Sequence, residues 1–129
     1  MARTALDLTP QEWQAYHPGK IREDHKGLES KLVKKRRQQA WRVARKAARI
    51  LHKQFGADRV VVFGSLTHDS WFTLWSDVDL AAWGIPPDRF YSAVAAVTAL
   101  SPDFKVDLID PGTSRPAVRE ALERDGVEL

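Results

Sequence analysis

The chain contains no cysteine, and that one absence removes several kinds of chemistry: no disulfide staples the fold, no thiolate acts as nucleophile, and no Cys-based metal site forms. It also fits a reducing compartment. Long apolar runs are missing as well. The longest stretch without a charge, residues 90–102, is too short and too polar to cross a bilayer, and residues 1–7 hold no apolar core of the kind a secretion signal needs. The expected location is therefore the cytoplasm. There is no internal repeat and no low-complexity run, and 129 residues are enough for one core but not for two. Hydrophobic residues at 43% and charged residues at 29% are ordinary for a globular domain, so function has to be read from local pattern.

A net charge of +3 hides a sharp division along the chain. Residues 20–59 carry 14 Lys or Arg against 4 Asp or Glu, whereas residues 60–129 carry 5 against 11. In the basic part, Ala40, Val43, Ala44, Ala47, Ile50, Leu51 and Phe55 recur as one helical stripe. Lys35, Arg42, Arg45, Lys46, Arg49 and Lys53 form the opposite stripe. Arg36 and Arg37 interrupt the apolar side, so the packed portion is expected from about Gln38, with Gly56 as the C-terminal stop. Trp41 lies at the border of the stripe. A charge run of this type is often only a solvated face. An acidic partner protein, or nucleic acid along the basic helix 31–53, is the other reading, with weak or no nucleic-acid binding the expectation at physiological salt.

Ahead of this helix, Thr9-Pro10-Gln11-Glu12 has the form of a capping box and predicts a short helix over residues 10–16, stopped by His17-Pro18-Gly19. Trp13 and Tyr16 lie on one side of it and suit docking onto the domain better than stacking on a base. Residues 20–30 read as a linker or as a poorly packed start to the basic helix. The division expected is thus residues 1–29 as a short helix and linker and residues 30–129 as the main domain.

Further on, Val60-Val61-Val62-Phe63 reads as a buried strand that ends in Gly64-Ser65, a turn whose backbone can approach a phosphate. Residues 66–75 are dense in aromatics, with Trp71, Phe72, Leu74 and Trp75 as a lid on the core edge or a contact platform. Then comes Ser76-Asp77-Val78-Asp79-Leu80. Extended backbone puts residues i and i+2 on one face, so Asp77 and Asp79 point together while Val78 and Leu80 enter the core. Paired carboxylates of this kind suit Mg²⁺. Pro86-Pro87 opens a helix carrying Phe90, Tyr91, Val94, Val97 and Leu100 at helical spacing. Residues 104–109 alternate as a third strand, with Lys105, Asp107 and Ile109 on one face, which makes Asp107 a third carboxylate. Ser114 caps a final helix over residues 115–124, closed by Gly126.

A strand ending in Gly-Ser, an Asp-x-Asp at the start of a second strand and one Asp on a third resemble the nucleotidyltransferase superfamily of DNA polymerase β, and in size its minimal members. The resemblance covers the chain from about Ala40 onward. It implies an α/β (α+β) polymerase β-like fold, a small mixed sheet flanked by helices. It also implies two Mg²⁺ ions held by Asp77, Asp79 and Asp107, and ATP held at Gly64, Ser65 and Ser76. Minimal members continue the turn as Gly-Ser-x-Ala-Arg-Gly, whereas this chain reads Gly64-Ser65-Leu66-Thr67-His68-Asp69, with His68 in place of the Arg. A solvent-facing His68 is the default expectation there, and Asp69 adds negative charge near the phosphates. Minimal members often serve as antitoxins that transfer AMP to a tyrosine of a helical HEPN-type toxin. That acceptor is the expectation here, with a small molecule, an RNA end, or binding without chemistry as the alternatives.

Overall fold

The computed structural model describes residues 23–129 apart from Asp69. The helix expected over residues 10–16 lies outside the described residues. Elements run α1 (Glu23–Phe55), β1 (Arg59–Phe63), a 3₁₀ turn (Gly64–Thr67), β2 (Val78–Trp83), α2 (Pro87–Thr98), β3 (Val106–Ile109), a second 3₁₀ turn (Pro111–Thr113), α3 (Pro116–Asp125) and β4 (Val127–Glu128). The described residues form a small mixed α/β fold, three helices with a four-stranded sheet of order β3-β2-β1-β4. β1 pairs antiparallel with both β2 and β4, while β2 and β3 run parallel, as the α2 crossover between them requires.

Strand alternation divides the sheet into two unlike faces. Val60, Val62, Val78, Leu80, Val106 and Leu108 point to the inner face, where α1 and α2 cover them with Ala40, Ala44, Ala47, Leu51, Ala93 and Val97. Alanines dominate the α1 contribution, which lets the helix lie close to the sheet and favours helix intrinsically. Each fully buried Val or Leu of this layer contributes about 1.5–3 kcal/mol through burial. The outer face carries Val61 and Ala81, against which Leu122 of α3 packs, with Phe63, Trp83, Ile109 and Val118 around them. α3 covers only part of this face.

Four expectations need correction. Residues 23–30 are already helical, so the segment belongs to α1 and is not a linker. Packing begins before Gln38, because Val33 lies against the core. Arg36 and Arg37 do not interrupt it: their guanidiniums bond the carbonyls of Asp103 (2.7 Å) and Leu66 (2.9 and 3.2 Å), with Arg36 also 4.1 Å above the Phe104 ring. Tyr91, placed on the apolar side of α2, is 85% exposed. Ser114 does not cap α3; its hydroxyl donates to the Asp110 carbonyl at 2.8 Å, and α3 starts instead at Pro116, whose fixed φ suits a first helical position. β4 had no sequence signal at all, being two exposed residues that add to the edge of β1.

A candidate acidic site at one end of the sheet

β1 ends where β2 and β3 begin, and this end of the outer face collects the carboxylates. Parallel register sets Asp79 directly across from Asp107, as Val78 is across from Val106, while β1 places Phe63 opposite Asp79 on the other side. The Val78 amide bonds the Lys105 carbonyl at 2.9 Å and carries the pairing back toward Asp77. Gly64 closes the site from β1. Its φ is +76°, and a Cβ built there would lie 2.7 Å from Asp79 Oδ2, so the turn backbone abuts the carboxylate in a way that only glycine permits.

Burial and, after it, the crowding of like charges act on Asp77 and Asp79. Burial, then the neighbouring Asp107 and Asp77, raise Asp79 to about 6. Burial and Asp107 also raise Asp77, against the opposing pull of Lys105 and Arg36. Lys105 Nζ lies 3.8 Å from Asp107 Oδ1 and is the exposed cation of the site. Arg36 approaches from the helix side, where the charges of Asp103 and Asp77 act on it. Among the described residues, no group of three or more His, Cys, Asp or Glu side chains is drawn together closely enough to hold a metal ion as it stands. The donor chemistry nevertheless fits a hard divalent cation: all donors are carboxylate oxygens, and Asp77 and Asp79 are raised by burial first and then by neighbouring carboxylates, a repulsion that such a cation relieves.

Sequence-predicted residues therefore divide. Asp79, Asp107 and Gly64 meet in register, Asp77 lies near enough for its charge to act on Asp79, and Ser65 follows Gly64 in the same turn. Ser76 is turned elsewhere: its Oγ accepts the Thr73 amide at 2.9 Å and lies 3.3 Å from Thr73 Oγ1, which shapes the loop before Asp77. His68 is not a free surface residue. It is half-buried, its Nε2 is 3.0 Å from Asp125 Oδ1 at the end of α3, and its ring lies 3.8 Å from that of Trp71. In the aromatic loop Phe72 and Leu74 are buried while Trp71 and Trp75 are 53% and 44% exposed, so it packs on the core and presents two indoles outward. Sequence reasoning missed Arg37, whose fork holds the carbonyl of Leu66 in the Gly-Ser turn, and Lys105 as the counter-charge of the acids. The signal for Arg37 was present in its position on the buried side of an otherwise alanine-rich stripe.

A separate hollow of about 500 Å³ lies at the far end of the same face, between Arg59, Trp83, Gly112 and Arg119. It belongs to the opposite ends of β1 and β2 from the acids. Neither a family model nor a curated protein matches the chain. Among the described residues no helix is long and apolar enough to cross a membrane.

Proposed function

We propose that this chain is a Mg²⁺-dependent nucleotidyltransferase of polymerase β-like fold that transfers AMP from ATP to an acceptor hydroxyl, a tyrosine of a helical HEPN-type toxin. The observation that carries the reading is the pairing of Asp79 with Asp107 across β2 and β3, against the Gly64 backbone. Two carboxylates and a glycine turn at one end of one sheet support the reading.

In this reading Asp77, Asp79 and Asp107 would hold Mg²⁺, which would supply neutralisation of phosphate charge. Gly64 and Ser65 offer a turn to the triphosphate, and Arg37 keeps that turn in place through the Leu66 carbonyl. Asp107 accepts the acceptor's hydroxyl proton. The tyrosine oxygen bonds to the α-phosphorus as the bond from that phosphorus to the bridging oxygen of the β-phosphate breaks, and pyrophosphate leaves. No side-chain nucleophile is needed, since positioning and charge stabilisation supply most of the rate in such transfers. In this reading a large partner surface is the means of placing the hydroxyl. The cytoplasm is the compartment that fits ATP as the donor.

Co-expression with the product of the adjacent gene, followed by intact mass measurement, tests the reading. Addition of one AMP to a tyrosine of that product, and its loss with Asp77→Ala/Asp79→Ala, is the expected result. If the double variant neutralises the partner equally well and no mass is added to either protein, the protein acts by binding alone. The tie between His68 and Asp125 favours that second reading, because it directs the residue in the family's Arg position toward α3.

A further inference from the structure

Ten cations lie between Lys31 and Lys53, and the structure separates them into two kinds. Arg36 and Arg37 are turned into the domain and bonded to backbone carbonyls. The other eight are all exposed. Lys31, Lys34 and Lys35 stand on the N-terminal half of α1; Arg42, Arg45, Lys46, Arg49 and Lys53 continue along the half that covers the sheet. At 3.6 residues per turn these eight fall within about 120° of arc, opposite the buried Ala40, Ala44, Ala47 and Leu51. With 1.5 Å of rise per residue they make a ridge about 33 Å long. From Lys31 to Phe55 there is no Asp or Glu.

A ridge of one sign is unlike a face that serves solubility alone, where the two signs are interleaved and pair along the helix. Like charges three and four residues apart repel and cost the free helix stability, a cost that an anionic partner removes. The composition also selects the kind of anion. Within the arc the remaining side chains are Gln38 and His52, so the ridge lacks the apolar centre that a protein interface is built around, and it is rich in Lys, which such interfaces avoid. A phosphate backbone asks for neither. It offers regularly spaced charge over any length and is bound through cations without an apolar anchor. Part of the ridge is also concave: Arg42, Arg45, Arg49 and His52 line a hollow of about 440 Å³ beside Ala48 and Leu129, where guanidinium forks can grip a phosphate in two places.

We infer that the outward face of α1 is a sequence-independent binding surface for nucleic acid, held through backbone phosphates. It does not depend on the transfer reaction. α1 covers the inner face of the sheet and turns the ridge away from it, whereas the carboxylates stand on the outer face.

Fluorescence anisotropy of the full chain with a labelled duplex of about 30 base pairs, and with a single strand of about the same length, tests this over about 50–200 mM KCl. Four to eight phosphate contacts predict a slope of log affinity against log salt between about −3 and −7, steeper for the duplex. Arg42→Gln, Arg45→Gln, Lys46→Gln and Arg49→Gln together flatten the duplex slope by about 3.6, and the Arg→Lys exchanges at 42, 45 and 49 keep it. Should the fourfold variant lose its fold, Arg45→Gln and Arg49→Gln singly carry the same test, each flattening the slope by about 0.9. Binding to one nucleic acid and not the other identifies the source of the phosphates. Absence of binding at about 50 mM salt, a slope that the variants leave unchanged, or tighter binding of polyglutamate than of either nucleic acid overturns the inference. The last result would make the ridge a dock for an acidic protein.

Discussion

A carboxylate oxygen of Asp79 occupies the space that a side chain at Gly64 would need, 2.7 Å from where its Cβ would stand. The two residues are 15 apart in sequence and meet because β1 and β2 are antiparallel, with Phe63 opposite Asp79. The glycine is thus required twice, by its positive φ and by the acid against it.

Gly64→Ala is expected to destabilise the domain by about 2 kcal/mol, part from the left-handed backbone and part from the displaced carboxylate. In an Asp79→Ala background the second part disappears, so the same exchange should cost about 1 kcal/mol less. Urea denaturation of the four proteins measures the coupling. Additive losses would mean that the two residues do not meet.

Asp79 titrates near 6 in the folded domain, above its ordinary value of 3.8. The folded state therefore holds the proton more tightly than the unfolded state. Its stabilising contribution is fully present below pH 3.8 and is lost as pH rises through 6. Asp79→Asn removes that loss, so the variant should be more stable than the parent at pH 8 by about 1–2 kcal/mol, a figure reduced for partial solvent screening. Its affinity for Mg-ATP should fall even so. Lys105→Gln takes away the nearest cation and should move the Asp79 midpoint upward, as read from the carboxyl carbon resonance. A variant at Asp79 that is folded, less stable at high pH and unchanged in Mg-ATP affinity by calorimetry would reject the site.

Arg37 fixes the turn after β1 from a helix 29 positions earlier, through two bonds to the Leu66 carbonyl. Arg37→Met leaves that carbonyl without its fork and should cost about 1.5–3 kcal/mol. Arg37→Lys should recover only part, because an ammonium gives a point contact where the guanidinium gives two. Faster amide exchange at Thr67 and His68, in the variant and not in the rest of the domain, is the specific sign. Uniformly faster exchange would show that Arg37 supports the whole core instead.

Much of this could be read before any coordinates because it is local. Val60-Val61-Val62 declares a strand, the alanine stripe from Ala40 to Phe55 declares the helix that covers it, and Asp77 and Asp79 share a face by the period of two. Pro87 and Gly126 mark the ends of their helices. What failed was where locality fails. Arg36 and Arg37 look like polar intrusions until the carbonyls of Asp103 and Leu66 arrive from other elements to receive them. Tyr91 fits a helical stripe by spacing, yet α2 is turned so that its ring faces mainly solvent, touching only the neighbouring Phe90 ring edge-on among the contacts described. Val127 and Glu128 form a strand solely because β1 has a free edge beside them.

The sequence by itself determined the three helices and strands β1 to β3, the three acids and the separation of charge between α1 and the remainder, since each follows from side-chain chemistry and a repeat of 2 or 3.6 residues. Only the tertiary structure decided that Asp107 faces Asp79, that Gly64 presses on the same carboxylate, that His68 belongs to Asp125, and that Arg36 and Arg37 turn inward from the other cations of α1. Those relationships depend on strand register and helix rotation. Both are set by how the two faces of the sheet are buried, a property of the whole packed chain that no window along it contains.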